Sequence, residues 1–165
     1  MNGSAPRVPG AVTRERRLEC AAATAFELFT RRLATWWPAD YTWSQDELRD
    51  LWIEPLVAGT CRERDSAGIE SPWGVVIACH PQRHLAFRWM IDPDRSFQPD
   101  PAHASRVDVT WSVVDDHCRV ELVHDEFERH PGDATAYREA LASPQGWPLL
   151  MDRYAEACRD AAARP

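Results

Sequence analysis

The chain has no lysine: all nineteen of its basic residues are arginine, set against 26 acidic residues for a formal net charge of -7. No run of arginines forms the basic stripe that a nucleic-acid partner needs, so no nucleic-acid partner is expected. The arginine bias itself carries no functional reading. The first ten residues lack the apolar run of roughly 7 to 15 residues that marks a secretory signal. No window approaches the roughly 20 apolar residues of a membrane span. A cytoplasmic location is the expectation. Cys20, Cys61, Cys79, Cys118 and Cys158 are odd in number and scattered, with no C-x-x-C pair. They suggest neither a disulfide framework nor a zinc site, and free, mostly buried thiols are expected. No repeat, nucleophile elbow or phosphate-cradling glycine loop occurs, and no cofactor is expected.

What remains is the composition of one folded domain. At 165 residues, 44% hydrophobic and 27% charged, the chain can bury one substantial core, or a core with a hole in it. Residues 1–10 read as a disordered tail and 11–163 as one domain. The unusual feature is eight tryptophans, at positions 36, 37, 43, 52, 73, 89, 111 and 147. Each needs large apolar surroundings and, where buried, a partner for its indole N–H. They read either as core filler or as the lining of a cavity.

Hydrophobic spacing orders the chain as β, α, about six strands, α. Val12 to Cys20 reads as a first strand. Phe26, Leu28, Phe29, Leu33 and Trp36 recur at helical spacing, predicting a helix over 22–37 that Pro38 ends. Leu51 to Val57, Thr60 to Arg64, Trp73 to His80 and Arg83 to Ile91 read as successive strands. Residues 92–104 contain three prolines and read as a flap. Val107, Val109, Trp111 and Val113 then alternate with polar residues, and Val120, Leu122 and His124 share a face of the next strand. Asp133 is an N-cap for a helix to about Ala142. Trp147, Leu150, Met151, Tyr154 and Cys158 make one stripe of a last helix ending near Ala163. A continuous antiparallel meander with helices before and after it is an α+β arrangement, in which a curved sheet wraps the long terminal helix and leaves room for a cavity.

The same residues carry a resemblance. Phe26 with Phe29, Trp36-Trp37-Pro38, Glu54-Pro55 followed by Gly59, and Glu63 come first. Gly68-x-Glu70-x-x-Trp73-Gly74-x-Val76, Pro81-x-Arg83-x-x-x-Phe87-x-Trp89, Val120-x-Leu122-x-His124 and Gly146-Trp147 follow in order. Over residues 12 to 158 this pattern resembles the SRPBCC superfamily, the START and birch-pollen-allergen-like helix-grip proteins. Within it, the chain is similar to the bacterial branch related to the activator of heat-shock-protein-90 ATPase. Two positions depart from the pattern: Ala58-Gly59 stands where a glycine pair is usual, and Cys79 where an aromatic is common. The resemblance implies a helix-grip fold of about six to seven strands around a cavity. Its members span lipid carriers, polyketide cyclases and co-chaperone-like domains, so fold does not settle function.

Three functions follow as expectations. The first is binding of an apolar or aromatic small molecule, lipid-like or polyketide-like, with Trp36, Trp37, Trp73, Phe87, Trp89, Trp111, Leu122, His124, Trp147 and Tyr154 lining the cavity. The second is a cyclase or hydrolase, with His124 at the rim as acid or base and Glu54, Glu63 or Glu70 as the carboxylate. The commoner alternative for His124 is a structural histidine, and for the glutamates solvated edge groups. The third is a co-chaperone-like domain that binds a protein partner. Arg62 and Arg88 read as carboxylate binders or as outer-face ion pairs. His80 and His84 flank a turn and do not make a metal site. A homodimer through exposed strand edges is a further expectation.

Overall fold

A computed structural model describes residues 9–164; residues 1–8 of the tail expected at 1–10 lie outside them. Seven strands form one antiparallel sheet: β1 (Val12–Leu18), β2 (Leu48–Ile53), β3 (Thr60–Asp65), β4 (Glu70–His80), β5 (His84–Trp89), β6 (Ser105–Val114) and β7 (His117–Asp125). Their order is β1-β7-β6-β5-β4-β3-β2, so the meander runs from β2 to β7 and the first strand closes against the last. Three helices accompany it: α1 (Ala22–Phe29), α2 (Ala134–Ala142) and α3 (Trp147–Ala163). This is the α+β helix-grip arrangement that the spacing predicts.

Alternation places the inner face. Ser105, Val107, Val109 and Trp111 of β6 and Cys118, Val120, Leu122 and His124 of β7 are buried. The expected inward face of β6 stops there, because Val113 lies beyond the covering helices and is 71% exposed. Leu51 and Ile53 point inward on β2, which turns Trp52 outward beneath the Arg64 guanidinium, 5.1 Å from the ring centroid.

The predicted first helix is shorter than its spacing. It ends at Phe29 because the Thr30 carbonyl is taken by the Ile53 N–H of β2 at 2.9 Å, while Thr30 Oγ1 bonds back to the Phe26 carbonyl at 2.8 Å. A short 3-10 turn at Leu33–Thr35 follows. The Trp36 indole then donates to the orphaned Leu28 carbonyl at 2.8 Å. At the other end of the chain, Asp133 caps α2 by accepting from Ala136 N, as expected.

Curvature is uneven. Register shifts interrupt the β2–β3, β3–β4 and β4–β5 pairings, whereas the β5–β6, β6–β7 and β1–β7 pairings are regular. Each irregularity bends its strand and adds twist. At Gly74 the bend also brings backbones close: a Cβ there would stand 2.6 Å from the Arg88 carbonyl oxygen. Helix α3 packs against β1 and α1. The irregular half of the sheet, β2 to β5, makes few contacts with that helix, and the gap beside it holds the site.

Candidate functional site

The gap is a cavity of about 510 Å³. Trp37, Leu51, Glu63, Trp73, Trp89 and Leu150 form its inner wall; Tyr41, Thr42 and Trp43 cover one side, and Asp92, Tyr137 and Leu141 the other. Its cover is fastened by one carboxylate. The Glu63 carboxylate, from the inner face of β3, accepts from Trp43 N at 3.0 Å, Ser44 N at 2.8 Å and Ser44 Oγ at 2.6 Å. A carboxylate with three donors staples the 42–44 segment to the sheet, and at 1% exposure Glu63 is closed to a ligand.

The tryptophans divide by what their N–H groups meet. Trp36 donates to Leu28 O, Trp43 to Pro72 O, Trp89 to the Tyr137 hydroxyl, Trp111 to the Tyr154 hydroxyl and Trp147 to His124 Nδ1. Trp73 is buried, and its Nε1 has no partner among the described residues. It stacks on Trp37 with centroids 6.2 Å apart and planes at 28°, and both rings line the cavity. A buried donor without an acceptor is rare in native proteins and costs about 1–3 kcal/mol.

Beside the indoles runs a chain of buried polar groups. Trp147 Nε1–H donates to His124 Nδ1 at 3.0 Å, so the proton of the neutral imidazole sits on Nε2 and is donated to Ser105 Oγ at 2.7 Å. Ser105 gives both its hydroxyl and its backbone N–H to His130 Nε2, at 2.8 and 3.0 Å. His130 therefore carries its proton on Nδ1 and donates it to Asp92 Oδ1 at 2.8 Å. Gln98 Nε2 donates to the same carboxylate at 3.1 and 3.3 Å. Every donor points toward Asp92, which lies on the cavity wall. Burial holds the His124 imidazole well below its ordinary pKa, and neighbouring His130 adds to the effect. Burial also lowers His130, against the opposing pull of Asp92.

The predicted site residues separate accordingly. Trp37, Trp73 and Trp89 line the cavity. Trp36, Phe87, Trp111, Leu122, His124, Trp147 and Tyr154 do not; they are buried packing around it. Rings fill the space beneath β6: Phe26 and Phe29 lie 5.2 and 5.8 Å from Trp111, and Trp36 lies 4.9 Å from Tyr154. His124 is fully buried with both ring nitrogens bonded, so it sits inside the core and not at a rim. Glu54 follows the last residue of β2 and bonds Thr60 Oγ1 at 3.0 Å, away from the cavity wall; Glu63 is the glutamate on that wall. Arg88 pairs with Glu126. The segment at 92–104 is folded on itself, with Asp92 N bonded to Ser96 O, and its first residues edge the cavity. Among the described residues no cluster of His, Cys, Asp and Glu has the makings of a metal site, and no helix is long and apolar enough to cross a membrane.

Sequence reasoning missed Asp92, Ser105 and His130. One further step of the β6 alternation reaches Ser105, directly opposite Trp89 on β5. That signal was available. Asp92 and His130 are 38 residues apart and meet only because β5 and β7 end at the same rim.

No family model matches the chain, and no curated protein matches it. Among solved structures it is similar to an anthrahydroquino-gama-pyrone synthase, Txn09, complexed with SUM, at 30% identity and a TM-score of 0.63, over 92% of this chain and 99% of that one. The self-sacrificing resistance protein CalC from Micromonospora echinospora is similar at 21% identity and a TM-score of 0.61, over 94% and 98% of the two chains. The Aha1 dimer from Colwellia psychrerythraea, at 11% identity and a TM-score of 0.61 over 90% and 95%, shares the fold alone. With 30% identity along nearly all of Txn09, and the same curled sheet gripping a C-terminal helix, the chain belongs to the SRPBCC superfamily of START-like helix-grip proteins.

Proposed function

We propose that the cavity binds a flat, largely apolar aromatic small molecule of polyketide type. The observation that carries this is the pair of stacked indoles, Trp37 and Trp73, at an open volume of about 510 Å³. Small-molecule pockets occupy roughly 300–1,000 Å³ and combine aromatic walls with a few polar groups. A lipid chain needs only apolar surface, whereas indole walls with polar lining groups such as Asp92 and Tyr41 suit a planar, oxygen-bearing molecule. The test is a titration of intrinsic tryptophan fluorescence with emodin and, separately, with oleic acid. Saturable quenching by emodin is expected, with a weaker response to oleic acid. Saturation by oleic acid alone would replace this reading with a lipid carrier.

The likeness to a synthase at 30% identity favours a second reading, in which the bound molecule is also turned over. General acid–base chemistry needs a titratable group that touches the substrate. His124, sealed and doubly bonded, lacks that access; the carboxylate of Asp92 has it.

A further inference from the structure

Asp92 differs from the other carboxylates of the cavity in being both held in place and partly exposed, whereas Glu63 is 1% exposed and Asp40 is not held by any hydrogen bond among the described residues. The Glu63 carboxylate is taken by three donors of the covering segment. The Tyr137 hydroxyl accepts from Trp89 and donates to the Ile91 carbonyl. Asp40 is exposed at the mouth. Asp92 has a side chain 12% exposed, with Oδ1 anchored by His130 and Oδ2 bonded at 3.1 Å by Gln98. A carboxylate oxygen with one donor can accept another.

The support behind it is long. His130 is oriented by two donors from Ser105, Ser105 by His124, and His124 by Trp147 at the start of α3. Four links of one polarity hold a single anion against an aromatic cavity, and rigidly positioned polar groups are what recognition and acid–base chemistry require.

We propose that Asp92 is the hydroxyl-recognising group of this cavity and the acceptor of the ligand's proton, so that the site takes aromatic molecules bearing a phenolic or enolic O–H. The hydroxyl donates to Asp92 Oδ2, and the aromatic ring lies against the Trp37 and Trp73 indoles that line the cavity. In the proton step, the O–H bond of the ligand breaks and an O–H bond forms at Asp92. The ligand becomes the anion, and the carboxyl returns the same proton when the product oxygen or carbon needs it. No oxidant, reductant or metal enters. This inference rests on the cavity being the ligand site.

A photoacid tests it. β-Naphthol becomes a strong acid on excitation, passes its proton to an adjacent carboxylate and then emits at the longer wavelength of the naphtholate. Excited beyond the tryptophan band, β-naphthol bound to the wild-type protein is expected to show naphtholate emission. At saturating β-naphthol, Asp92→Asn should cut that emission about tenfold, because the amide offers no basic oxygen. Naphtholate emission that survives Asp92→Asn overturns the proposal and leaves the cavity reading intact. The wild-type protein supplies a check independent of that variant's folding: β-naphthol should bind about tenfold more tightly than β-naphthyl methyl ether, which has no proton to donate. Equal affinities overturn the proposal. If neither compound binds, both the cavity reading and this inference fall.

Discussion

The two halves of the molecule use the same residue type to opposite ends. Under β1, β6 and β7, Trp36, Trp111, Phe26, Phe29 and Tyr154 interlock, and each indole there has an acceptor. Under β2 to β5, Trp37 and Trp73 face space, and the Trp73 N–H has none. The backbone differs in the same sense, since the register shifts fall only in the pairings of the second half. Tryptophan content alone therefore does not announce a cavity; Trp43 and Trp89 line it with satisfied donors, and the buried Trp73 N–H is the exception among the described residues.

The largest expected effect breaks the filled half. Trp111 is 3% exposed and touches both phenylalanines of α1, so Trp111→Ala should cost about 3–5 kcal/mol, read as a lower urea midpoint. A loss below about 1 kcal/mol would mean that this half is not tightly packed after all.

Acid attacks the seam between the halves. Burial keeps His124 and His130 below their ordinary pKa of 6.5. The unfolded chain therefore binds more protons than the folded one below that pH. Stability should be complete above it and decline as pH falls, by up to about 1.4 kcal/mol per histidine per pH unit. Urea unfolding followed from about pH 7.5 down to pH 5.5 checks this, and a flat profile would contradict it.

The smallest effect sharpens the comparison most. Trp111→Phe deprives the Tyr154 hydroxyl of its donor and should cost about 1–2 kcal/mol beyond the change in size. Trp73→Phe removes a donor that has no partner and should come out within about 1 kcal/mol of that size change alone, while weakening emodin about tenfold. Paired thermal melts and titrations separate the outcomes. Equal destabilisation by the two substitutions would erase the distinction between the halves.

Much of the fold was legible because it is written in local spacing. The alternation of β6 and β7, the stripe from Trp147 to Cys158 and the Asp133 cap each depend on neighbours a few residues away. The end of α1 was not legible, since it is decided by a bond from Thr30 to Ile53 across the chain. Nor was the placement of the cavity, which lies beside the irregular strand pairings, where Trp37 and Trp73 line it, while Trp36 and Trp111 are packed elsewhere. The site was legible in three of its indoles and obscure in its polar part. His124 stands out in sequence by ending an apolar face, yet that face runs into the interior, where burial disarms it. Asp92 looked like one more polar residue at the start of a proline-rich segment, and only the rim shared by β5 and β7 gives it His130.

The one-way run of hydrogen bonds from Trp147 to Asp92 also sets a direction of traffic. An indole N–H does not ionise in neutral water, so the run has no source of protons at its far end and is a closed siding, not a conduit. Hydrogen lifted from a molecule in the cavity can go back to that molecule or leave by the mouth through which it entered.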